Sequence, residues 1–420
     1  MKSALAALFS LFFIGQTLAA NWPEWRGGRG DGTADESSLP THWGTTSNVT
    51  WRVALPGPGN STPVVHGRRV FFTQAVDGGE GRQLICLDRA SGERLWMREV
   101  RFSGEEATHN TNPQCSASPA TDGERVVVSF ASAGLHCFDM EGEKLWSRDF
   151  GPQAHIWGNG ASPTIHGNLV YLNFGPGVRT FLVAMDKRTG RTIWENNEAG
   201  GGFGEKQPGQ NSRDIWIGSW STPIFRQVNG REELIMTWPR RVVGLNPLNG
   251  EEYWQCQGLN PLVYTSPLFA EGIVVTMGGF SGMALAVRAG GSGDVTGSHR
   301  LWHHPKTPQR IGSGVVHEGH VYILNDRGTA QCIDLNTGTT VWEERLKGPG
   351  KTTRNWSSLV LNKGLIYAVN WGGDAFVLKA APKFEEPIVN SIGEKTIASM
   401  AVSDGQLFIR SYEALWCIGK

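Results

Sequence analysis

The sequence predicts an all-β chain: an eight-bladed β-propeller of four-stranded antiparallel blades, its ring closed by an N-terminal strand. Three observations lead there. A two-part phrase recurs along the chain, most copies end in a Trp-bearing strand, and the composition suits stacked sheets joined by tight turns, with 55 Gly and 17 Trp in 420 residues. Lys+Arg 39 cancels Asp+Glu 39, and hydrophobic residues make up 39% of the chain. Intrinsic disorder is thereby excluded, and no charge excess is left for a nucleic acid partner.

Residues 1–20 read as an export signal. Lys2, the apolar run Ala4 to Ile14 and the small residues Leu18-Ala19-Ala20 supply its three parts. A spanning helix needs about 20 apolar residues, and this run stops at Gly15 and Gln16. The first cysteine is Cys86, so no thiol stands at the cleavage site to carry a lipid. The expectation is a periplasmic or secreted monomer without a membrane span, with residues 21–48 as a wrapping arm and 49–420 as the propeller. Asp31, Asp35 and Glu36 in the arm are read as solvated, with a calcium grip as the alternative.

The front half of the phrase is a small residue with Pro, an apolar strand, a Gly turn and a second apolar strand. Thr62-Pro63 with His66-Gly67 is followed by Ser118-Pro119, Ser162-Pro163, Thr222-Pro223, Ser266-Pro267, Ser313-Gly314, Ser357-Ser358 and Ser399-Met400, each with its own Gly turn. That makes eight. The back half is a strand ending in Asp or Asn, a Thr-Gly-like turn and a Trp strand: Asp88, Gly92, Trp96; Asp139, Gly142, Trp146; Asp186, Gly190, Trp194; Asn246, Gly250, Trp254; Asp334, Gly338, Trp342. Two copies are degraded, keeping Leu301-Trp302 and offering Phe384 in the Trp place. The eighth ends at Cys417-Ile418, and Val49-Thr50-Trp51-Arg52-Val53 reads as its missing strand. Blades of about 50 residues fit a propeller period, and strands buried on both sides account for apolar runs such as Phe181 to Met185.

The repeated Leu-Asp, Thr-Gly and Trp phrase resembles the pyrroloquinoline-quinone-type propeller repeat, shared by quinoprotein alcohol dehydrogenases and the assembly lipoprotein BamB. The opening Trp22-Pro23-Glu24-Trp25-Arg26-Gly27 with Gly30-Asp31-Gly32 is similar to the start of exported bacterial members. The resemblance covers essentially the whole mature chain and implies fold more than activity. It brings pyrroloquinoline quinone with calcium into view. The quinoproteins carry adjacent cysteines above the cofactor, and here the nearest pair is Cys115 and Cys137, so no cofactor is expected.

The repeat accounts for Trp51, Trp96, Trp146, Trp194, Trp254, Trp302 and Trp342 as core. Cys86, Cys137, Cys332 and Cys417 recur in one context and are read as small buried hydrophobes, with the pairing of Cys115 and Cys256 open. No cysteine spacing suggests a metal site. His66, His166 and His317 share one turn in separate blades, which argues against a shared ion. The longer insertions fall on one face of the ring. Loops on a rigid scaffold are where binding concentrates, and this face collects residues outside the repeat. Connections into the inner strands supply His109, Asn112, Gln114, Trp157, Asn159, Arg213, Trp216, Trp220, Tyr264, Arg310, Arg354 and Trp356. Second turns add Arg179, Trp238, Arg240, Arg241, Arg327, Trp371 and Asp374.

Converging at the channel mouth, these residues would make an arginine and aromatic cup for an anionic or sugar-like ligand. In the competing structural reading they plug the channel. The function expected is a binding or assembly scaffold for a protein, peptide or polysaccharide. The alternative is an exported enzyme: a polysaccharide lyase or hydrolase using Tyr264, His109 or an arginine, or a quinoprotein oxidoreductase. No phosphate loop, HExxH pair or nucleophile elbow is present.

Overall fold

The computed structural model describes residues 21–153, 155–176, 179–197, 217–309 and 311–419. The export signal read at 1–20 lies outside the described residues. Eight antiparallel sheets stand around an axis, with innermost strands Val64–His66, Ala120–Thr121, Thr164–His166, Ile224–Val228, Leu268–Ala270, Val315–His317, Val360–Asn362 and Ala401–Ser403. These define blades 1 to 8. Each meanders outward, as blade 1 does through Arg69–Val76, Gly81–Asp88 and Arg94–Arg101. Blade 8 is composite: its outermost strand is Val49–Ala54, antiparallel to Ala414–Ile418, with Trp51 opposite Cys417. The ring closes as the sequence predicts. Middle strands are sandwiched between neighbouring blades, and Phe181 to Met185 are all buried.

Six of the Trp strands latch a blade to the next. Indole N–H groups of Trp51, Trp96, Trp146, Trp194, Trp302 and Trp342 donate to the carbonyls of Arg89, Met140, Lys187, Pro247, Leu335 and Ala381 at 2.7–3.0 Å. Five of those acceptors directly follow the Asp or Asn that opens the neighbouring turn. The turn glycine lies flat on the ring: a Cβ on Gly190 or Gly250 would come within 2.6–2.7 Å of Trp146 or Trp194, and both glycines have positive φ. Ahead of the turn amides, the hydroxyls of Thr189 and Thr337 hold the carboxyls of Asp186 and Asp334 below the usual range. The Asp-x-x-Thr-Gly phrase is therefore a seat for the preceding blade's Trp. Blade 4 differs, because Trp254 gives its N–H to the buried Glu233 of its own sheet at 2.8 Å. Phe384 is not the seventh Trp. Val377 pairs with Ile388, which leaves Phe384 before the outer strand, edge-on to Trp342 at 5.3 Å.

The four repeat cysteines are explained by the same latch. Cys86, Cys137, Cys332 and Cys417 sit directly across the ladder from Trp96, Trp146, Trp342 and Trp51, and Ala184, Gly244 and Ala286 take that position opposite Trp194, Trp254 and Trp302. The position takes only small residues, which leave room for the indole. All six cysteines are free and buried. Burial pushes the Cys86, Cys137 and Cys417 thiols up to about 12, which leaves them unionised at neutral pH.

A second repeated bond runs around the hub. The hydroxyls of Ser118, Ser162, Ser266, Ser313, Ser358 and Ser399 accept the N–H of the equivalent residue one blade earlier, at 2.9–3.0 Å. This is the physical content of the small residue that opens the repeat phrase.

Residues 21–36 run inside the hub. Trp22 and Val65 exchange backbone bonds, Thr121 donates to Pro23, Leu361 donates to Gly32, and Thr33–Ala34 adds a parallel strand to blade 7. Arg26, 2% exposed, donates to the carbonyls of Ser313 and Gly314 in blade 6. Asp31 pairs with Arg226 of blade 4 at 2.7 Å, and the Glu36 carboxylate accepts the N–H groups of Asp404 and Gly405 in blade 8. Asp31 and Glu36 are therefore buried and engaged, in place of the solvated positions expected. The arm covers inner-strand edges that would otherwise be unpaired.

Glu24 is half-buried in this arm, and desolvation pushes its carboxyl up to about 8 against the Ile165 N–H, the Thr164 hydroxyl and Arg226. The native state then holds a proton that the unfolded chain releases above about pH 4.3. Stability from this group is full below that value and falls until pH passes about 8. Urea titrations should show that Glu24→Gln flattens the decline between pH 5 and 8 relative to the parent. Parallel slopes would contradict it.

Candidate functional site

The ring leaves a well of about 680 Å³ on the axis at the long-loop face. Three aromatic groups wall it, carried by blade-to-blade connections and, for Phe280 and Trp371, by second turns within a blade. Trp220 and Tyr264 stack at 4.6 Å and 7°, and Phe280 extends the stack at 6.0 Å. Trp356 meets Trp371 edge-on at 4.7 Å, with the Arg354 guanidinium 4.2 Å over Trp371 and the Lys395 ammonium 5.4 Å from it. His109 packs on Trp157 at 4.7 Å. Below them the lining includes the hub residues Thr62, Ser118, Ser162, Ser358 and Ser399, and the arm contributes Trp25.

The loops are braced by their own polar groups. Asn112 donates to the carbonyls of Trp157 and Asn159, and Trp220 donates to Gly158 at 2.9 Å. Trp356 gives its N–H to Asp326 at 2.6 Å, and Asp326 also lies 3.5 Å from Arg354. His155 stands edge-on to Trp220, and burial pulls its imidazole down to about 4, so it is neutral. The described lining carries Arg354, Lys395 and His109 and no carboxylate. Its potential favours an anion, and its ring faces favour planar or pyranose groups.

Of the residues singled out by sequence, the well brings together His109, Asn112, Trp157, Trp220, Tyr264, Arg354, Trp356 and Trp371. Trp216, Arg213 and Arg310 lie outside the described residues. Asn159 spends its amide on the Gly175 carbonyl at 2.9 Å. Arg179 pairs with Glu195 and covers Phe181. Trp238 is 2% exposed, with Arg241 5.4 Å over its ring and 3.6 Å from Glu252. Arg240 and Arg327 are exposed turn residues. Asp374 is buried, holding Gly350 and Ser391. Trp25, Asn60, Phe280 and Lys395 escaped the sequence reading. Lys395, in the connection entering blade 8, and Phe280, in a second turn, satisfied the same positional rule; Trp25 had no such signal.

Calcium takes six to eight oxygen ligands, carboxylates prominent among them. Among the described residues no three His, Cys, Asp or Glu side chains cluster as a metal site, and the lining offers no acid. The described residues do not fit a calcium-bound quinone. Hydrolysis by paired carboxylates would likewise need two acids across the well. Among the described residues no helix is long and apolar enough to cross a membrane.

A family model described as outer membrane protein assembly factor BamB matches residues 44–207, 87–344 and 181–419 in overlapping copies. BamB from Moraxella catarrhalis is similar in structure, with TM-score 0.58 and 11% identity over 89% of this chain and 97% of that one. Quinohemoprotein alcohol dehydrogenase from Comamonas testosteroni superposes with TM-score 0.67 and 11% identity over 96% and 81%. A europium-containing methanol dehydrogenase gives 0.64 and 11% over 93% and 89%. At such identities these likenesses concern the fold. No curated protein matches the chain.

Proposed function

The chain belongs to that PQQ-like repeat family, described as outer membrane protein assembly factor BamB, and from this premise we propose that it is an exported binding module whose long-loop face recognises an anionic segment of a peptide, protein or polysaccharide. One observation carries the reading: an axial well walled by three aromatic groups, with Arg354, Lys395 and His109 in its lining and no carboxylate among the described lining residues. The fixed charges of Arg354 and Lys395 beside low-dielectric ring faces bind anions more strongly than the same groups in open water. The family's named assembly role agrees with binding in place of turnover, and the periplasm or the exterior is the compartment this reading assigns.

Calorimetry with tetragalacturonate, heptaglutamate and neutral maltotetraose tests it. An acidic probe should bind at least tenfold more tightly than maltotetraose. Arg354→Ala should weaken that binding about tenfold or more, equivalent to about 1.4 kcal/mol, with little change in melting because the side chain is 44% exposed. Equal affinity for acidic and neutral probes would overturn the reading.

A further inference from the structure

We infer that the well is blind-ended and receives the terminus of an acidic oligosaccharide end-on, with Trp25 of the N-terminal arm as its floor. This inference rests on the binding reading above. The arm is bonded to the inner strands of blades 1 and 2 through Val65 and Thr121, to blade 4 through Arg226, to blade 6 through Ser313 and Gly314, and to blade 7 through Leu361. It thus crosses the axis from one side of the ring to the other. The hub residues in the well lining open the inner strands on the long-loop face, whereas the arm's partners Val65, Thr121 and Leu361 lie further along those strands. Trp25 belongs to the arm and lines the well, so the well ends there.

A closed axial well cannot pass a continuing polymer. An internal stretch of chain needs a groove open at both sides, while a chain end needs one opening. The choice of sugar over peptide follows from the hydrogen-bonding groups at hand. An extended peptide binds most readily by adding to a free strand edge, and the hub edges at Val65, Thr121 and Leu361 are already taken by the arm. The well lining presents side-chain chemistry: hydroxyls at Thr62, Ser118, Ser162, Ser358 and Ser399, ring faces above them, and Arg354 and Lys395 for a uronate carboxylate. That combination matches a pyranose, with its apolar face and many hydroxyls.

The test compares galacturonate oligomers of increasing length on the intact protein. End-on binding requires an affinity per chain that stops rising at a short oligomer, and one protein per chain even on long polygalacturonate. Trp25→Ala should weaken tetragalacturonate binding at least tenfold, and Trp25→Phe should restore most of it. Several proteins per long chain, with affinity still climbing with length, would overturn the end-on inference while leaving the anion reading intact. Heptaglutamate binding without any galacturonate binding would overturn the sugar assignment alone. If no acidic probe binds, both readings fall. The length series uses unmutated protein, so it decides the matter even if Trp25→Ala folds poorly.

Discussion

Trp254→Ala is expected to lower unfolding free energy by about 3–5 kcal/mol, the range for emptying a large aromatic site. The residue is fully buried among Ile224, Ile235, Val263, Val274 and Leu285. Its removal also strips Glu233, itself fully buried, of the indole N–H at 2.8 Å, leaving Arg231 as its partner. Trp254→Phe separates the two effects. It keeps most of the ring volume and loses the donor, so about 1–3 kcal/mol is expected. Urea midpoints for the three proteins check this, and an alanine variant within 1 kcal/mol of the parent, about the smallest core effect, would refute it.

Arg410→Ala should cost a comparable amount, about 3–6 kcal/mol, from two charge-assisted hydrogen bonds of about 1.5–3 kcal/mol each. Arg410 lies on the second strand of blade 8 with no exposed surface, and its guanidinium crosses into blade 1. There it meets the Thr73 carbonyl at 2.6 Å and the Gln74 side chain at 2.7 Å, over the Phe72 ring. Desolvation lowers its pKa to about 10, which still leaves it charged at neutral pH. Arg410→Lys should recover little, because a single ammonium cannot reproduce the planar fork. Hydrogen exchange should localise the loss to the junction of blades 8 and 1. Uniform loosening of all eight blades would show that the arginine acts elsewhere.

The ring was legible because its signals are local and repeated. Asp186 with Gly190 and Trp194 carries turn, seat and latch within nine positions, and the same arithmetic located Trp51 as the missing strand. The site was legible only in part. Loop position told which face Trp220, Tyr264 and Arg354 would occupy, but a second-turn side chain can lean toward the axis or back onto its sheet. Trp371 does the first and Trp238 the second, and no spacing distinguishes them. The arm left no periodic trace at all. Its course depends on single bonds to blades hundreds of residues away, such as Arg26 to Gly314.

The closing strand has a consequence for biogenesis. Thr50 reaches Gly419, 369 positions further on, so Val49–Ala54 emerges early and waits for nearly the whole chain before its ladder exists. Meanwhile it offers bare amides and carbonyls to any passing strand, and contacts this distant form slowly. A chaperone that shields this one segment during synthesis would guard the nascent polypeptide against self-association.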